Sequence, residues 1–108
     1  MNTLQTELTK SEIIDNLSIM DFDNYSSVLW SIYELDPYNT SNEIDHLKDF
    51  MTSDWEKVFN WQNRAIWFAN RYAQENKVPV HIMFTAQLND GNVDNSLDSV
   101  IYVVKPYN

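Results

Sequence analysis

The chain has 108 residues, no cysteine and a formal net charge of −9. Without cysteine it has no disulfide, no thiol nucleophile and no zinc–thiolate site. A hydrophobic fraction of 44% argues against disorder, and the length fits one folded domain of residues 1–108. Because no apolar run approaches the length of a membrane span and no secretory signal is visible, we expect a cytoplasmic protein.

The negative charge is concentrated in the first half of the chain. Residues 1–56 carry twelve acidic residues and two lysines, whereas residues 57–108 carry four acidic and five basic residues. Such a surface repels nucleic acid and anionic membranes, and it attracts basic partners. We therefore expect a protein partner and no direct binding of nucleic acid or membrane.

Helix-start signals predict four helices in the first two thirds of the chain. Residues 1–8 show no such signal and are expected to form a flexible leader. Capping boxes, in which Ser or Thr precedes Glu by three residues, begin at Thr9, Thr40 and Ser53. With apolar residues at helical spacing, they predict helices of about 10–19 and 24–35, a short helix that includes Ile44, Leu47, Phe50 and Met51, and a long central helix of about 53–76.

The hydrophobic period changes from helical to alternating after Lys77. Residues 78–88 alternate between apolar and polar side chains, residues 89–96 are rich in turn formers, and residues 99–105 are β-branched. This pattern predicts two antiparallel strands. The expected fold is therefore α+β, with about four helices followed by a C-terminal antiparallel β-hairpin.

The central helix has a basic and aromatic stripe beside its core face. The stripe comprises Lys57, Trp61, Arg64, Phe68 and Arg71. It is either a contact surface or an edge of the core with cations at its rim, and we favour the second interpretation. Arg64 has no acidic neighbour on its own helix, so it should stack on an aromatic ring or pair elsewhere. Trp61, Arg64 and Phe68 are therefore a secondary interface candidate. If Arg64 is exposed beside the two aromatic residues, the binding surface is on this helix and not on the acidic half.

No complete catalytic or cofactor motif is present, and we expect a protein that is not an enzyme and binds no cofactor or metal. A single glycine excludes the dinucleotide fingerprint and the P-loop. Asp45, His46 and Asp49 resemble part of a metal site but are better explained as a solvated acidic face. Residues 90–94 resemble the start of a calcium loop, yet a hairpin turn explains them better.

The acidic first half carries the strongest functional signal. On helices, its carboxylates would be about 5–6 Å apart at i, i+4 spacing and could imitate a nucleic-acid backbone. Helix capping explains several of the acids but not all. The predicted partner-binding residues are Asp21, Asp23, Glu34, Asp36, Asp45 and Asp49, with Tyr33 and Tyr38 as anchors.

The small size, absence of cysteine, acidic first half and aromatic-rich remainder resemble the small acidic proteins that phages use against host defences. This group includes anti-CRISPR proteins, restriction inhibitors and DNA mimics. The resemblance implies an inhibitor that occludes the basic groove of a nucleic-acid-handling protein, such as a CRISPR effector or a nuclease, in the host cytoplasm. Bacterial immunity proteins and antitoxins share this profile. A third alternative is a self-associating structural or assembly protein, for example a homodimer.

Overall fold

A computed structural model of the protein describes residue 17, residues 20–94 and residues 101–106. Four antiparallel strands form a sheet in the order β2-β1-β3-β4, and helix α1 packs across it. Short 3-10 turns, Phe22–Asn24 and Trp55–Lys57, precede β1 and α1. The elements are β1 (Tyr25–Asp36), β2 (Asn39–Thr52), α1 (Val58–Asn76), β3 (Val80–Leu88) and β4 (Ile101–Val104).

The predicted architecture of four helices and a C-terminal hairpin is wrong. The predicted helix of about 24–35 is strand β1, and the short helix through Ile44 to Met51 is part of strand β2. The predicted helix of about 10–19 lies outside the described residues except for the buried Leu17. The expected leader, residues 1–8, also lies outside them.

Strand β1 was mistaken for a helix because it is buried on both faces of the sheet. It lies between β2 and β3, and three consecutive residues, Trp30, Ser31 and Ile32, are buried. A strand in this position loses the alternation of apolar and polar residues by which half-buried strands are identified. A short apolar run of this kind does not distinguish a strand from a helix.

Strand β2 was mistaken for a helix because bulges disrupt its alternation. Lys48 is opposite Ile32 and His46 is opposite Tyr33, so Leu47 is an extra residue in β2. Asp45 is opposite Glu34 and Glu43 is opposite Leu35, so Ile44 is a second extra residue. Each bulge shifts the inward-facing positions by one residue. The resulting apolar spacing imitates the period of a helix.

Helix α1 and the paired strands β3 and β4 lie close to where the sequence placed them. Asp54, and not Ser53, accepts a hydrogen bond from the backbone N–H of Glu56 at 3.1 Å and caps the 3-10 turn ahead of α1, whose own N-cap Lys57 makes no side-chain capping bond. Lys77 ends the helix in the left-handed conformation, with φ 57. However, β3 pairs with β1 as well as β4, so these strands belong to the larger sheet and do not form a separate hairpin.

The core lies between small residues of α1 and large residues of the sheet. Ala65, Ala69 and Ala73 are fully buried on the inner face of the helix. Trp30 and Phe84 face them from adjacent strands, with ring centroids 5.4 Å apart. Because the sheet supplies the volume, the helix needs only methyl groups on this face.

Two polar side chains in this core have no hydrogen-bond partner among the described residues. Gln62 is fully buried, and neither its amide nitrogen nor its amide oxygen bonds to any of these residues; the same holds for the indole N–H of Trp30. A buried polar group without a partner destabilises the folded state by about 1–3 kcal/mol. Gln62 is therefore an unfavourable element of the fold.

We predict that Gln62→Met stabilises the protein. Methionine keeps the length and the helix propensity of glutamine but removes the unsatisfied amide. The free energy of unfolding, measured by urea denaturation, should rise by about 1–3 kcal/mol. Gln62→Glu should lower it, because the new carboxylate would be buried without a partner. A lower stability for Gln62→Met would show that the amide is hydrogen-bonded in solution.

Candidate functional site

Residues 34–49 form a continuous acidic surface that we call the acidic hairpin. It comprises the end of β1, the turn at Pro37 and Tyr38, and most of β2. The described ladder between β1 and β3 ends at Glu34, and residues 37–46 are all exposed. Five acidic side chains accompany one lysine, Lys48: Glu34, Asp36, Glu43, Asp45 and Asp49.

The register of the acidic hairpin places two carboxylates directly opposite each other. Glu34 of β1 pairs with Asp45 of β2. Like charges in this position destabilise a sheet. The hydroxyl of Tyr72 on α1 donates a hydrogen bond to Glu34 at 2.6 Å, which partly compensates. This hydrogen bond, aided by burial and by the nearby charges of Glu34 and Asp45, raises the pKa of Tyr72 to about 12.

Asp45 is the least compensated acid of the acidic hairpin. Asp36 accepts from the backbone N–H of Tyr38, whereas Asp49 and Glu43 contact histidines at 2.8 and 3.1 Å. Asp45 is exposed and has no hydrogen bond or ion pair with any described residue. Its charge is thus available to a partner.

The two tyrosines expected to anchor a partner have different positions. Tyr38 is 96% exposed at the turn of the acidic hairpin, and Ile44 nearby in sequence is 55% exposed. Tyr33 is only partly exposed, because its ring lies 5.0 Å from the rings of both His46 and His81. Tyr38 fits an anchoring role, whereas Tyr33 packs against the two histidines, and both anchoring roles stay predictions.

Asp21 and Asp23 do not belong to the same surface as the acidic hairpin. They lie in and before the 3-10 turn ahead of β1, where Asp21 accepts a hydrogen bond from the backbone N–H of Asp23. At about 3.3 Å per residue, a strand the length of β1 separates them from the turn by roughly 35–40 Å. The eight predicted residues therefore form two groups at opposite ends of the sheet.

Asp45 and Asp49 also do not share one face, as a helix would have required. Asp45 is opposite Glu34, on the side that α1 covers, and Asp49 is opposite Ser31. Glu34 and Ser31 are three positions apart on one strand, so they point to opposite faces. The acidic hairpin is negative on both faces, in contrast to the single charged face expected of a helix.

The basic and aromatic stripe of α1 contains both a core edge and an exposed surface. Trp61 and Phe68 are half-buried, and their ring centroids lie 6.2 and 5.9 Å from that of Phe50. Arg64 is exposed with its guanidinium 5.1 Å from the Trp61 ring centroid, which confirms the expectation that it stacks on an aromatic ring. This meets the condition under which the sequence favours α1 over the acidic half as the binding surface, and Trp61, Arg64 and Phe68 stay a predicted interface.

Sequence reasoning missed the exposed aromatic residues of α1. Phe59 is 46% exposed, and Trp67 is 60% exposed with the Arg71 guanidinium 5.1 Å from its ring. Trp67, Phe68, Arg71, Tyr72 and Glu75 line a groove of about 260 Å³. On the helix, Trp67 lies outside both the core face and the basic and aromatic stripe. This position could have predicted its exposure from the sequence.

A turn signal could also have located the acidic hairpin from the sequence. Asp36 and Pro37 occupy the first two positions that a type I β-turn favours. The preceding residues 25–35 are rich in aromatic and β-branched side chains. Together these features predict a strand that reverses at residues 37–38, as observed.

The described residues provide no complete metal site. His46 and Asp49 do contact each other, but among these residues no group of three or more His, Asp or Glu side chains could hold a metal ion. Residues 90–94 form a turn in which Asp90 accepts from the backbone N–H of Asn92, and Gly91 has φ 91. The Tyr25 hydroxyl donates to Asp94 at 2.5 Å.

The comparisons with known proteins found no match for this chain among protein-family models, curated proteins or solved structures. Within the part of the chain that the structure describes, no helix has the length and apolar character needed to cross a membrane. The functional argument therefore rests on the geometry of the acidic hairpin and of helix α1.

We predict that two tyrosines ionise late in an alkaline titration. Hydrogen bonds to Asp94 and Glu34, followed by burial, raise the pKa of Tyr25 and Tyr72 to about 12. Their contribution to stability is complete below about pH 10 and is lost as the pH rises through 12. Tyrosinate absorbance should show two late equivalents, and Tyr72→Phe should remove one of them. An unchanged titration of the variant would exclude the Glu34 contact in solution.

Proposed function

We propose that the protein is an inhibitor that uses the acidic hairpin to occupy a basic, nucleic-acid-binding surface of another protein. The observation that carries this proposal is the Glu34–Asp45 pair, which places like charges opposite each other on an exposed hairpin. This arrangement is unfavourable in the isolated protein. A Lys- or Arg-rich partner would convert it into a favourable one.

The acidic hairpin combines charge with an apolar contact, as a specific protein interface requires. Its carboxylates attract and orient a basic partner. Tyr38 and Ile44 then supply exposed apolar surface close to those carboxylates. Tyrosine at the centre of a charged surface is a frequent source of binding energy.

The resemblance to phage anti-defence proteins supports a partner such as a CRISPR effector or a nuclease, acting in the host cytoplasm. An immunity protein or antitoxin is the alternative within the same physical proposal, because it would cover a toxin through the same hairpin. Both assignments are non-enzymatic, and both require a partner whose basic surface otherwise holds DNA or RNA.

We predict that Asp45→Lys has opposite effects on stability and on binding. The new lysine would face Glu34 and replace repulsion by attraction, which should raise the free energy of unfolding by about 0.2–1 kcal/mol. The same change should weaken capture of the partner from cell extract and reduce the salt dependence of its binding. Urea denaturation and affinity capture, each on the purified full-length chain, measure the two effects.

Asp23→Lys is the matched control, because it changes the net charge equally at the opposite end of the sheet. It should leave capture unchanged. Equal loss of capture with Asp23→Lys would show that only the overall charge matters. Unchanged capture with Asp45→Lys would exclude the acidic hairpin as the contact surface.

A further inference from the structure

Helix α1 presents a second surface whose chemistry is opposite to that of the acidic hairpin. We call it the outer helix face and define it by Arg64, Trp67 and Arg71, all of which are exposed. The segment from Lys57 to Lys77 carries four basic residues and one acid, Glu75. A positive, aromatic surface thus belongs to a chain whose net charge is −9.

We propose that the outer helix face binds the acidic hairpin of a second copy of this chain. The exposed aromatic and cationic groups of the outer helix face match the acidic hairpin in both charge and apolar character. The matching residues of the hairpin are the exposed Tyr38, Ile44 and Asp45. Paired guanidinium–carboxylate contacts around aromatic anchors are the usual composition of a specific interface.

The outer helix face and the turn of the acidic hairpin lie apart within one molecule, although Tyr72 of α1 donates a hydrogen bond to Glu34 at the base of the hairpin. The alanine face of α1 is buried against the sheet, so the outer helix face points away from the sheet that carries the acidic hairpin. Pairing between β1 and β2 holds the acidic hairpin in the plane of that sheet. The hairpin therefore cannot fold back onto the outer helix face of its own chain.

The groove on α1 provides a receptor for an aromatic or apolar side chain. It is lined by Trp67, Phe68, Arg71, Tyr72 and Glu75 and has a volume of about 260 Å³. Arg71 uses its Nε–H to bond Glu75 at 2.7 Å. An arginine carries five N–H donors, so its terminal nitrogens keep donors for an incoming carboxylate.

Two other contacts, pairing of β2 edges and binding of nucleic acid to α1, fit the observations less well. Pairing between the edges of two β2 strands is hindered by the bulges at Leu47 and Ile44, which are features that protect edges. Stacking of nucleic-acid bases on Trp67 is opposed by the repulsion between phosphates and a chain of net charge −9. A second acidic hairpin requires no pairing of β2 edges. Two chains of net charge −9 also repel each other, so the attraction of the hairpin carboxylates to Arg64 and Arg71 must exceed that repulsion.

This contact joins two different surfaces, so it leaves one free surface of each kind on a dimer and can extend further. It also covers the acidic hairpin. Self-association and binding of a basic partner would therefore compete, and the partner would have to displace a second copy of the chain. The self-association itself requires no external partner, and its test is independent of the inhibitor proposal.

Sedimentation velocity of the full-length protein alone tests the proposal. At low salt the mass should rise with protein concentration above the monomer value of 12.8 kDa. At about 1 M salt, charges are screened beyond about 3 Å, so the mass should return to the monomer value. The double variant Trp67→Ala/Arg71→Ala and the single variant Asp45→Lys should each weaken association by about tenfold or more. The controls Lys105→Ala and Asp23→Lys should behave like the unmodified chain.

Mixing the two defective proteins gives the sharpest outcome. Each retains one intact surface, so an equimolar mixture should form a dimer and nothing larger. Circular dichroism of each variant checks folding, and Tyr38→Ala at a fully exposed turn position provides a second hairpin variant. A chain that stays monomeric at low salt, or a mixture that does not associate, would overturn the proposal.

Discussion

The contact between the alanine face of α1 and the large residues of the sheet determines the rest of the structure. Ala65, Ala69 and Ala73 leave room that Trp30 and Phe84 fill from β1 and β3. Since an interior packs at nearly constant density, volume in the sheet permits a helix with a small inner face. The large side chains of α1 are then placed on its flanks and outside.

Both candidate surfaces follow from this arrangement. Trp61 and Phe68 pack at the border of the core on Phe50, whereas Trp67 is left exposed on the outer helix face. In the sheet, β1 is long enough to pair with β3 and still continue into the acidic hairpin. The fold thus separates a positive helix layer from a negative sheet end.

The sequence predicted the features that depend on local pattern and missed those that depend on tertiary position. Helix α1 and strand β3 have clear helical and alternating periods, and both were located correctly. Strand β1 is buried on both faces, and bulges disrupt β2, so neither keeps the period that identifies a strand. The capping box at Thr40 lies within β2 and was misleading, because a local signal for a helix start is overridden where a segment gains more by pairing in a sheet.

The candidate site was predicted in part for the same reason. Asp45 and Tyr38 were identified from charge and residue type, which do not depend on the fold. Asp21 and Asp45 were expected on one helical surface, and strand β1 instead places them far apart. The exposure of Trp67 and the partial burial of Tyr33 depend on tertiary packing, which for Tyr33 is its contact with His46 and His81.

A hydrogen-exchange footprint of the complex with a captured nucleic-acid-binding partner tests the central claim most directly. The claim predicts slower backbone exchange at residues 37–46, which are exposed in the free chain, and unchanged exchange at residues 21–24. Slower exchange confined to residues 58–76, with the acidic hairpin unaffected, would contradict it and would place the partner on the helix.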